Sequence, residues 1–306
     1  MSAANPGFAL RWSMFVRERF PLPAHLVMAG AFFLGNAAAA RVLGQGEPAW
    51  WRVAVAFAVV LAFFLRLRIF DELKDLGHDR EVNPHRPLAR GLIQAAEAKA
   101  VAVTLFVGES ALVRLCGAPA FAAWGAAALW SLLMYKEFFT GAWLRPRLEL
   151  YAVSHTLVAG LLGLVPAALW GSGYFWRMDP LLWLMAAANW MLFNVFEFSR
   201  KTFAPAEERE GVDSYSSRLG SWGASGLSWI CLALAGAFLA FILERTQGNV
   251  GPVLVAVPAL AGLVPASAYA LRPSFATAKA FRAVLLGSAL LAYVMLFLAV
   301  LVGGAP

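Results

Sequence analysis

Residues 50–91 read WWRVAVAFAVVLAFFLRLRIFDELKDLGHDREVNPHRPLARG. The stretch begins with about 20 mostly apolar residues, the length that a helix needs to cross the hydrocarbon core of a bilayer. The sequence then becomes polar, because four of the nine residues from Asp71 to Asp79 are acidic and two prolines follow. An apolar span that ends in an acidic cluster indicates a membrane protein with its chemistry at the membrane surface.

The rest of the chain repeats this apolar pattern. The 306 residues are 61% hydrophobic and only 14% charged, and the mean hydropathy of +0.67 is too high for a soluble core with a polar surface. We therefore expect an all-α, polytopic membrane protein that forms a single domain over residues 1–306. Nine windows are long and apolar enough to span a bilayer, at roughly 22–44, 50–70, 95–115, 119–140, 150–170, 180–199, 221–243, 250–271 and 279–302.

The distribution of basic residues predicts the orientation. The net charge of +7 alone would permit a nucleic-acid partner, but the charges alternate between the two sides of the predicted helices, as in membrane proteins. The positive-inside rule places the N-terminus and the acidic loops in the cytoplasm and the C-terminus outside the inner or plasma membrane. Of the 25 basic residues, 20 lie on the predicted inner side, and the other five are Arg41, Arg52, Arg114, Arg177 and Arg245.

The N-terminal segment and the cysteines add little about function. The first 20 residues contain three arginines among aromatic residues and no long apolar run, which is not typical of a cleaved signal peptide. We expect this segment to lie at the membrane interface. Cys116 and Cys231 fall in or beside apolar windows, and their spacing suggests neither a metal site nor a disulfide.

The first of two long cytoplasmic loops, residues 66–94, contains the acidic cluster. If the preceding helix continues through it, Glu72, Asp75 and Asp79 project from one narrow face. Such a cluster becomes favourable when a divalent cation neutralises it, and Mg²⁺ typically bridges one or two carboxylates to phosphate oxygens. Arg86 and Arg90 could then serve as fixed phosphate donors. A solvated loop with weak surface ion pairs explains this loop alone about as well.

The second long loop, residues 197–220, shows a related order. Glu197 lies at the predicted inner end of a helix, one turn after Asn194, and a polar turn with Pro205 follows. Arg218 and Gly220 then open the next helix. Both loops thus run from an acidic helix end through proline to arginine and glycine, which is a weak internal repeat and suggests two related halves that face one cavity.

The first loop resembles the first motif of the UbiA superfamily of intramembrane prenyltransferases. That motif reads Asn-Asp-x-x-Asp-x-x-x-Asp, followed shortly by Arg-Pro-Leu-x-x-Gly. Here Asp71 and Glu72 replace its Asn and first Asp, whereas Asp75, Asp79 and the segment 86–91 match it.

The second loop departs from the family pattern, which is Asp-x-x-x-Asp followed closely by Gly-(Ile/Val)-Lys-Ser-Thr. Glu197 occupies the expected helix end, several extra residues precede Gly211, and Asp213 replaces the usual Lys. Glu197, Glu207, Glu208 and Asp213 are therefore all candidates for completing a second metal site.

The resemblance implies nine helices around a central cavity that opens toward lipid. It implies Mg²⁺-dependent transfer of a prenyl group from a prenyl diphosphate to an aromatic or other lipid-embedded acceptor, with membrane lipids around the protein and no nucleic-acid partner. The implied catalytic residues are Asp75, Asp79 and Glu197. The implied metal ligands are Asp71, Glu72, Asp75, Asp79, Glu197 and Asp213, and the implied diphosphate-binding residues are Lys74, Arg86, Lys136, Arg145, Arg200 and Lys201.

Several of these residues also have a simpler interpretation. Lys136 and Arg145 resemble a basic element of the family, but they could equally mark the cytoplasmic interface. His155 is a lone histidine, which is more often packed and hydrogen-bonded than catalytic. The aromatic residues of window 180–199 could line a prenyl tunnel, although packing or contact with lipid is the commoner role of such side chains.

Two other functions remain open. One keeps the fold but transfers a phosphoribosyl group to a polyprenyl phosphate. The other is a transporter or lipid carrier, for which ionisable residues or broken helices near mid-membrane are expected. The acids here cluster at helix ends, which disfavours a carrier.

Overall fold

A computed structural model describes residues 7–44, 46–171, 173–248 and 251–303, and within these ranges the secondary structure is helical without strands. Three short 3₁₀ turns, Glu137–Phe139, Phe175–Arg177 and Pro205–Glu207, connect longer elements. The α-helices are α1 (Phe8–Arg19), α2 (Leu22–Leu43), α3 (Trp50–Lys74), α4 (Leu76–Val82), α5 (Ala95–Leu115), α6 (Ala118–Tyr135), α7 (Gly141–Leu144), α8 (Leu148–Leu169), α9 (Pro180–Arg200), α10 (Tyr215–Gln247), α11 (Gly251–Leu271) and α12 (Phe275–Gly303).

Nine of these described helices have 18 or more residues, and each lies on one of the nine predicted windows. Seven of them are long and apolar enough to cross a membrane. Helix α5 carries four charged residues, and the apolar part of α11, Val255–Leu271, is shorter. The all-α membrane-protein fold is thus confirmed, whereas the count of nine spans stays a prediction.

The long helices form a closed arrangement. Helix α2, the first of them, packs against α12, the last, and both contact α9. At this junction Asn36 and Asn189 exchange amide hydrogen bonds of 3.2 and 2.8 Å, and the Tyr293 hydroxyl donates to Asn189 Oδ1 at 2.9 Å. Buried amides and hydroxyls in lipid are stable only with such partners. These bonds therefore fix the ends of the helical array to one another.

The basic connections meet at one end of the bundle. Arg19 on α1 reaches Glu72 at the end of α3 at 2.6 Å, and Arg282 at the start of α12 reaches Glu207 in the second acidic loop at 2.7 Å. Arg218 at the start of α10 lies 3.3 Å from Glu149 at the start of α8. Lys74 Nζ of the first loop also lies 5.1 Å from the ring of Tyr151 on α8, so the start of α8 contacts both acidic loops and they lie at the same end.

Helix α1 docks against the first acidic loop. Its Phe15 is fully buried in a small cluster with Ile69, Leu88, Ile93, Ala98 and Ala102. Glu18 receives two hydrogen bonds of 2.8 Å from Arg90. Helix α1 thus packs against residues 69–102, and it is also the helix predicted to lie at the membrane interface.

Candidate active site

The first acidic loop is divided by a helix break at Asp75. Helix α3 ends at Lys74, Asp75 has φ −89° and ψ 1°, and α4 begins at Leu76. The condition on which the three acids would share one face, a helix that continues through Asp79, is not met, because these angles at Asp75 interrupt the helix. Glu72 lies before the break and Asp79 lies on the short second helix, so the three acids do not form one helical stripe.

Glu72 and Asp79 are buried and paired with arginine, each with 2% of its surface exposed. Glu72 Oε1 accepts hydrogen bonds from Arg19 Nε at 2.6 Å and from Arg68 at 2.8 Å. Asp79 accepts two hydrogen bonds from Arg86 Nη1, at 2.6 and 2.7 Å. Buried carboxylates require such compensation, and here protein cations supply it except at Glu72 Oε2, which is buried without a hydrogen-bond partner in the described ranges.

Asp71 and Asp75 are more exposed than Glu72 and Asp79, and neither is hydrogen-bonded to an arginine. Asp71 is half exposed, with its carboxylate 3.8 Å from Lys74 Nζ. Asp75 is half buried, and no hydrogen bond or ion pair within the described ranges involves its carboxylate. Burial raises the pKa of the Asp75 carboxyl above its ordinary value, Lys74 opposes this, and Asp71 and Asp79 add to it. A nearby cation would therefore stabilise the charged form of Asp75.

A cleft of about 300 Å³ lies beside these acids. It is lined by Lys74, Tyr135, Lys136, Glu137 and Arg145. A pocket of about 10 Å³ shares Lys74 and Tyr135 with it and is also lined by Asp71. The structure thus places Lys136 and Arg145 in a cleft that adjoins the first acidic loop. From the sequence, these two residues resembled a basic element of the family only weakly.

One wall of the cleft has a strained backbone. Glu137, Phe138 and Phe139 have φ of 49°, 53° and 57°, a left-handed conformation that costs roughly 1–2 kcal/mol per residue for side chains other than glycine. Arg145 Nε donates to both Glu137 oxygens at 2.9 and 2.8 Å and holds the turn. For this reason α6 ends at Tyr135, before the end of the predicted window at residue 140. The turn that follows places Lys136 and Arg145 in the lining of the cleft.

The second acidic loop begins with Glu197 at the end of α9. Its carboxylate accepts hydrogen bonds from Arg200, including one of 2.8 Å from Nε, and lies 2.9 Å from Lys201 Nζ. Helix α8 contacts both acidic helix ends, since Lys74 Nζ lies 5.1 Å from the centroid of the Tyr151 ring and the Thr156 hydroxyl donates to Asn194 Oδ1 at 2.5 Å.

Two of the remaining acids of that loop, Glu207 and Glu208, are hydrogen-bonded to neighbouring residues. Arg282 donates to both oxygens of Glu207, at 2.7 and 2.9 Å, and these bonds lower the pKa of Glu207. Glu208 accepts hydrogen bonds from Ser214 and Ser216. Asp213 is exposed.

Sequence inspection missed the partners of the buried acids. Arg68 lies four residues before Glu72, a helical spacing that could have revealed the pair. Arg19 is 53 residues away from Glu72, so only the docking of α1 brings them together. His155, set aside from sequence, stacks on Tyr151 at 3.9 Å and lies edge-on to Phe138.

A family model described as the UbiA prenyltransferase family matches residues 30–290, which include both acidic loops. The chain belongs to this family. It is accordingly a membrane-embedded prenyltransferase. No curated protein matches the chain.

Solved UbiA structures share the fold. A UbiA homologue from Aeropyrum pernix K1, in its apo form, aligns with TM-score 0.63 and 17% identity over 89% of this chain and 96% of that one. A UbiA homologue from Archaeoglobus fulgidus bound to GPP and Mg²⁺ aligns with TM-score 0.56 and 15% identity over 94% and 99%. A digeranylgeranylglyceryl phosphate synthase aligns with TM-score 0.61 and 17% identity over 95% and 99%.

The UbiA first motif fits a divalent cation in this chain. No group of three His, Cys, Asp or Glu side chains among the described residues forms a metal cage by itself. Mg²⁺, however, needs only one or two carboxylates when phosphate oxygens and water complete its coordination. Asp71 and Asp75 supply such a pair of hard oxygen donors, and the half-buried Asp75 lacks another partner in the described ranges.

Proposed function

We propose that this UbiA enzyme transfers a prenyl group from a prenyl diphosphate to an aromatic or other lipid-embedded acceptor in a Mg²⁺-dependent reaction. The observation that carries the proposal is the cleft, where Lys74, Lys136 and Arg145 lie beside Asp71. The three cations outnumber the two carboxylates, Asp71 and Glu137, and this arrangement suits a ligand that is itself anionic and carries a metal. The structure bound to GPP and Mg²⁺ belongs to a homologue with this fold.

Each group has a role in this proposal. Lys74, Lys136 and Arg145 bind diphosphate oxygens, and Asp71 and Asp75 would hold Mg²⁺. The ion would supply positive charge that makes the diphosphate a better leaving group. The allylic carbon–oxygen bond breaks and its electron pair stays on the diphosphate. The acceptor then bonds to that carbon and loses a proton to the diphosphate or to water.

Aromatic residues are suited to protect the reacting carbon. Phe64 lies about 10 Å along α3 from Asp71, given the rise of a helix, and stacks on Phe193 of α9 at 5.7 Å. Phe32 packs edge-on against Phe64 and Phe193 at 5.7 and 5.8 Å. Such rings exclude water and attract a developing cation. Phe193, in the inner half of α9, thus packs against two buried rings, which supports a prenyl-binding role.

Replacement of Asp75 tests the proposal. Purified protein is supplied with Mg²⁺, prenyl diphosphates of several chain lengths and a panel of acceptors, and diphosphate release and product mass are measured. We expect Asp75→Asn to lower the rate by roughly 100-fold or more, as the loss of an electrostatic group at a reacting centre does. Chelation of Mg²⁺ should have the same effect.

The matched control is Glu244→Gln, which removes an exposed carboxylate near the far end of α10 and should leave the rate unchanged. Equal rates for wild type and Asp75→Asn would reject the role of Asp75. A different outcome would establish the phosphoribosyl reaction. In that case the protein releases diphosphate from phosphoribosyl diphosphate in the presence of a polyprenyl phosphate, and it releases none from any prenyl diphosphate.

A further inference from the structure

Arg145 is paired through only one of its three side-chain nitrogens. Its Nε atom donates to both carboxylate oxygens of Glu137, at 2.9 and 2.8 Å. A guanidinium has five N–H donors, and those on the two terminal nitrogens make no hydrogen bond within the described ranges. The side chain is 62% exposed and lines the cleft with Lys74. Arg145 is therefore held at Nε, and its terminal nitrogens are left for a ligand.

Glu137 is itself fixed in position. It is only 8% exposed, and its backbone lies in the left-handed turn Glu137–Phe139. Phe138 anchors that turn, because its ring packs edge-on against Trp130 at 5.2 Å and against His155 at 5.6 Å. Backbone strain of this kind persists only where the surrounding structure holds it, and it clusters at functional sites. The turn thus holds a buried carboxylate in the wall of the cleft.

Gly141 provides the space for that carboxylate. A Cβ atom at this position would overlap Glu137 Oε2. The φ angle of Gly141 does not lie in the left-handed region, so alanine fits the backbone there and only the end of the Glu137 side chain has to move. The place of the carboxylate, and not the backbone conformation, is therefore what requires glycine.

We propose that Glu137 is a positioning residue for diphosphate binding, which orients Arg145 so that both terminal nitrogens of the guanidinium bind one phosphate group. The inference rests on the proposed function, because it concerns the same diphosphate. A guanidinium presents its donors in a rigid fork that matches two phosphate oxygens. A free arginine at this exposed position would lose side-chain freedom when the substrate binds, whereas the bond to Glu137 has already restricted it.

The charge of Glu137 and its position have opposite effects on an anionic ligand. A carboxylate in the cleft wall repels the diphosphate, so on charge alone the carboxylate would weaken binding. A substitution that keeps the charge and moves the carboxylate separates the two effects. Glu137→Asp does so by shortening the side chain, and Gly141→Ala does so by displacing the carboxylate.

The KM for a prenyl diphosphate tests the inference, measured on purified protein with Mg²⁺ and excess acceptor. We expect Glu137→Asp and Gly141→Ala each to raise KM by about threefold to tenfold, within the range of coupling between residues in contact. The kcat should not change, because the lost interaction is one of binding. Gly125→Ala is the matched control and should keep the wild-type KM, since a Cβ atom there meets nothing within 4 Å. A wild-type KM in Glu137→Asp or in Gly141→Ala would overturn the inference.

A double variant shows whether Glu137 acts through Arg145. Arg145→Gln should raise KM by about tenfold or more, the usual effect of losing a charged hydrogen bond. In that background Glu137→Asp should raise KM no further, because its effect requires the guanidinium. Arg145→Lys keeps the charge without the fork, and it should recover only part of the affinity. An additional increase in the double variant would mean that Glu137 acts independently of Arg145, against the inference.

Failure of the proposed function gives a different result. If no prenyl diphosphate releases diphosphate, calorimetry of inorganic diphosphate binding with Mg²⁺ replaces KM as the readout. Weaker binding to Glu137→Asp than to wild type would then reject the function and keep the positioning role, and no binding to wild type would reject both. If turnover is normal and Glu137→Asp has the wild-type KM, only the inference is rejected.

Discussion

Arg66 and Glu109 form an ion pair inside the helical bundle, and neither side chain is exposed. The guanidinium donates to both carboxylate oxygens at 2.9 Å, and a third donor reaches Ser131 at 3.0 Å. Trp124 donates to the same carboxylate at 3.1 Å. The pair joins α3, α5 and α6, and it explains how α5 can carry a central acid without lipid contact.

Breaking this pair should destabilise the protein. We expect Glu109→Gln to lower the free energy of unfolding by about 3–5 kcal/mol, because it leaves the Arg66 charge buried without a counter-ion. The double variant Arg66→Met with Glu109→Leu should recover much of the loss, since it removes both charges. Thermal inactivation in detergent, followed by size exclusion, measures both. A double variant as unstable as the single one would contradict this account.

The acids of the first loop show what a sequence can and cannot predict at this scale. The positions of Asp71, Glu72, Asp75 and Asp79 were evident from their spacing. Their different burial and pairing could not be predicted from the sequence. The arginine that pairs with Glu72 comes from α1, and the helix break at Asp75 depends on local backbone angles. The metal, catalytic and diphosphate assignments therefore stay predictions.

At the scale of elements, α1 links the N-terminal segment to the first acidic loop. Phe15 fills the cluster around Ile69 and Ile93, and Glu18 fixes Arg90. Both contacts are made by one short helix, so the order of residues 83–94 depends on its docking.

Removal of the Phe15 ring tests this dependence. We expect Phe15→Ala to cost about 3–5 kcal/mol of docking stability, typical of a buried phenylalanine, and to speed tryptic cleavage after Arg90. Phe8→Ala, on the same helix but at an exposed position, should cleave at the wild-type rate. Equal cleavage of all three proteins would show that the loop is ordered without α1.

The long elements were predictable and the short ones were not. Apolar windows fixed the nine long helices to within a few residues, because lipid demands long apolar segments with internally bonded backbones. The left-handed turn at Glu137–Phe139 carries no comparable signal. It depends on the ion pair between Glu137 and Arg145 and on Gly141, where a Cβ atom would lie 2.1 Å from the Glu137 carboxylate.

At the scale of the molecule, the contact of α2 with α12 brings the two ends of the helical series together. The single domain over residues 1–306 stays a prediction. The closure also places the connections that contain Glu72, Glu149, Glu207 and their arginine partners at one end. The integral membrane location agrees with seven apolar helices and with the family.

We propose that the end with the acidic loops faces the cytoplasm, since 20 of the 25 basic residues lie in or beside connections of that end. Single substitutions Glu210→Cys and Glu47→Cys put thiols on exposed positions at opposite ends, and the native cysteines are each only 6% exposed. In intact cells a membrane-impermeant maleimide should label Glu47→Cys but not Glu210→Cys, which should react only after permeabilisation. The wild-type chain is the background control. The reverse pattern would place the acidic loops outside the cell and require a donor supplied from there, because a charged diphosphate does not cross a bilayer unaided.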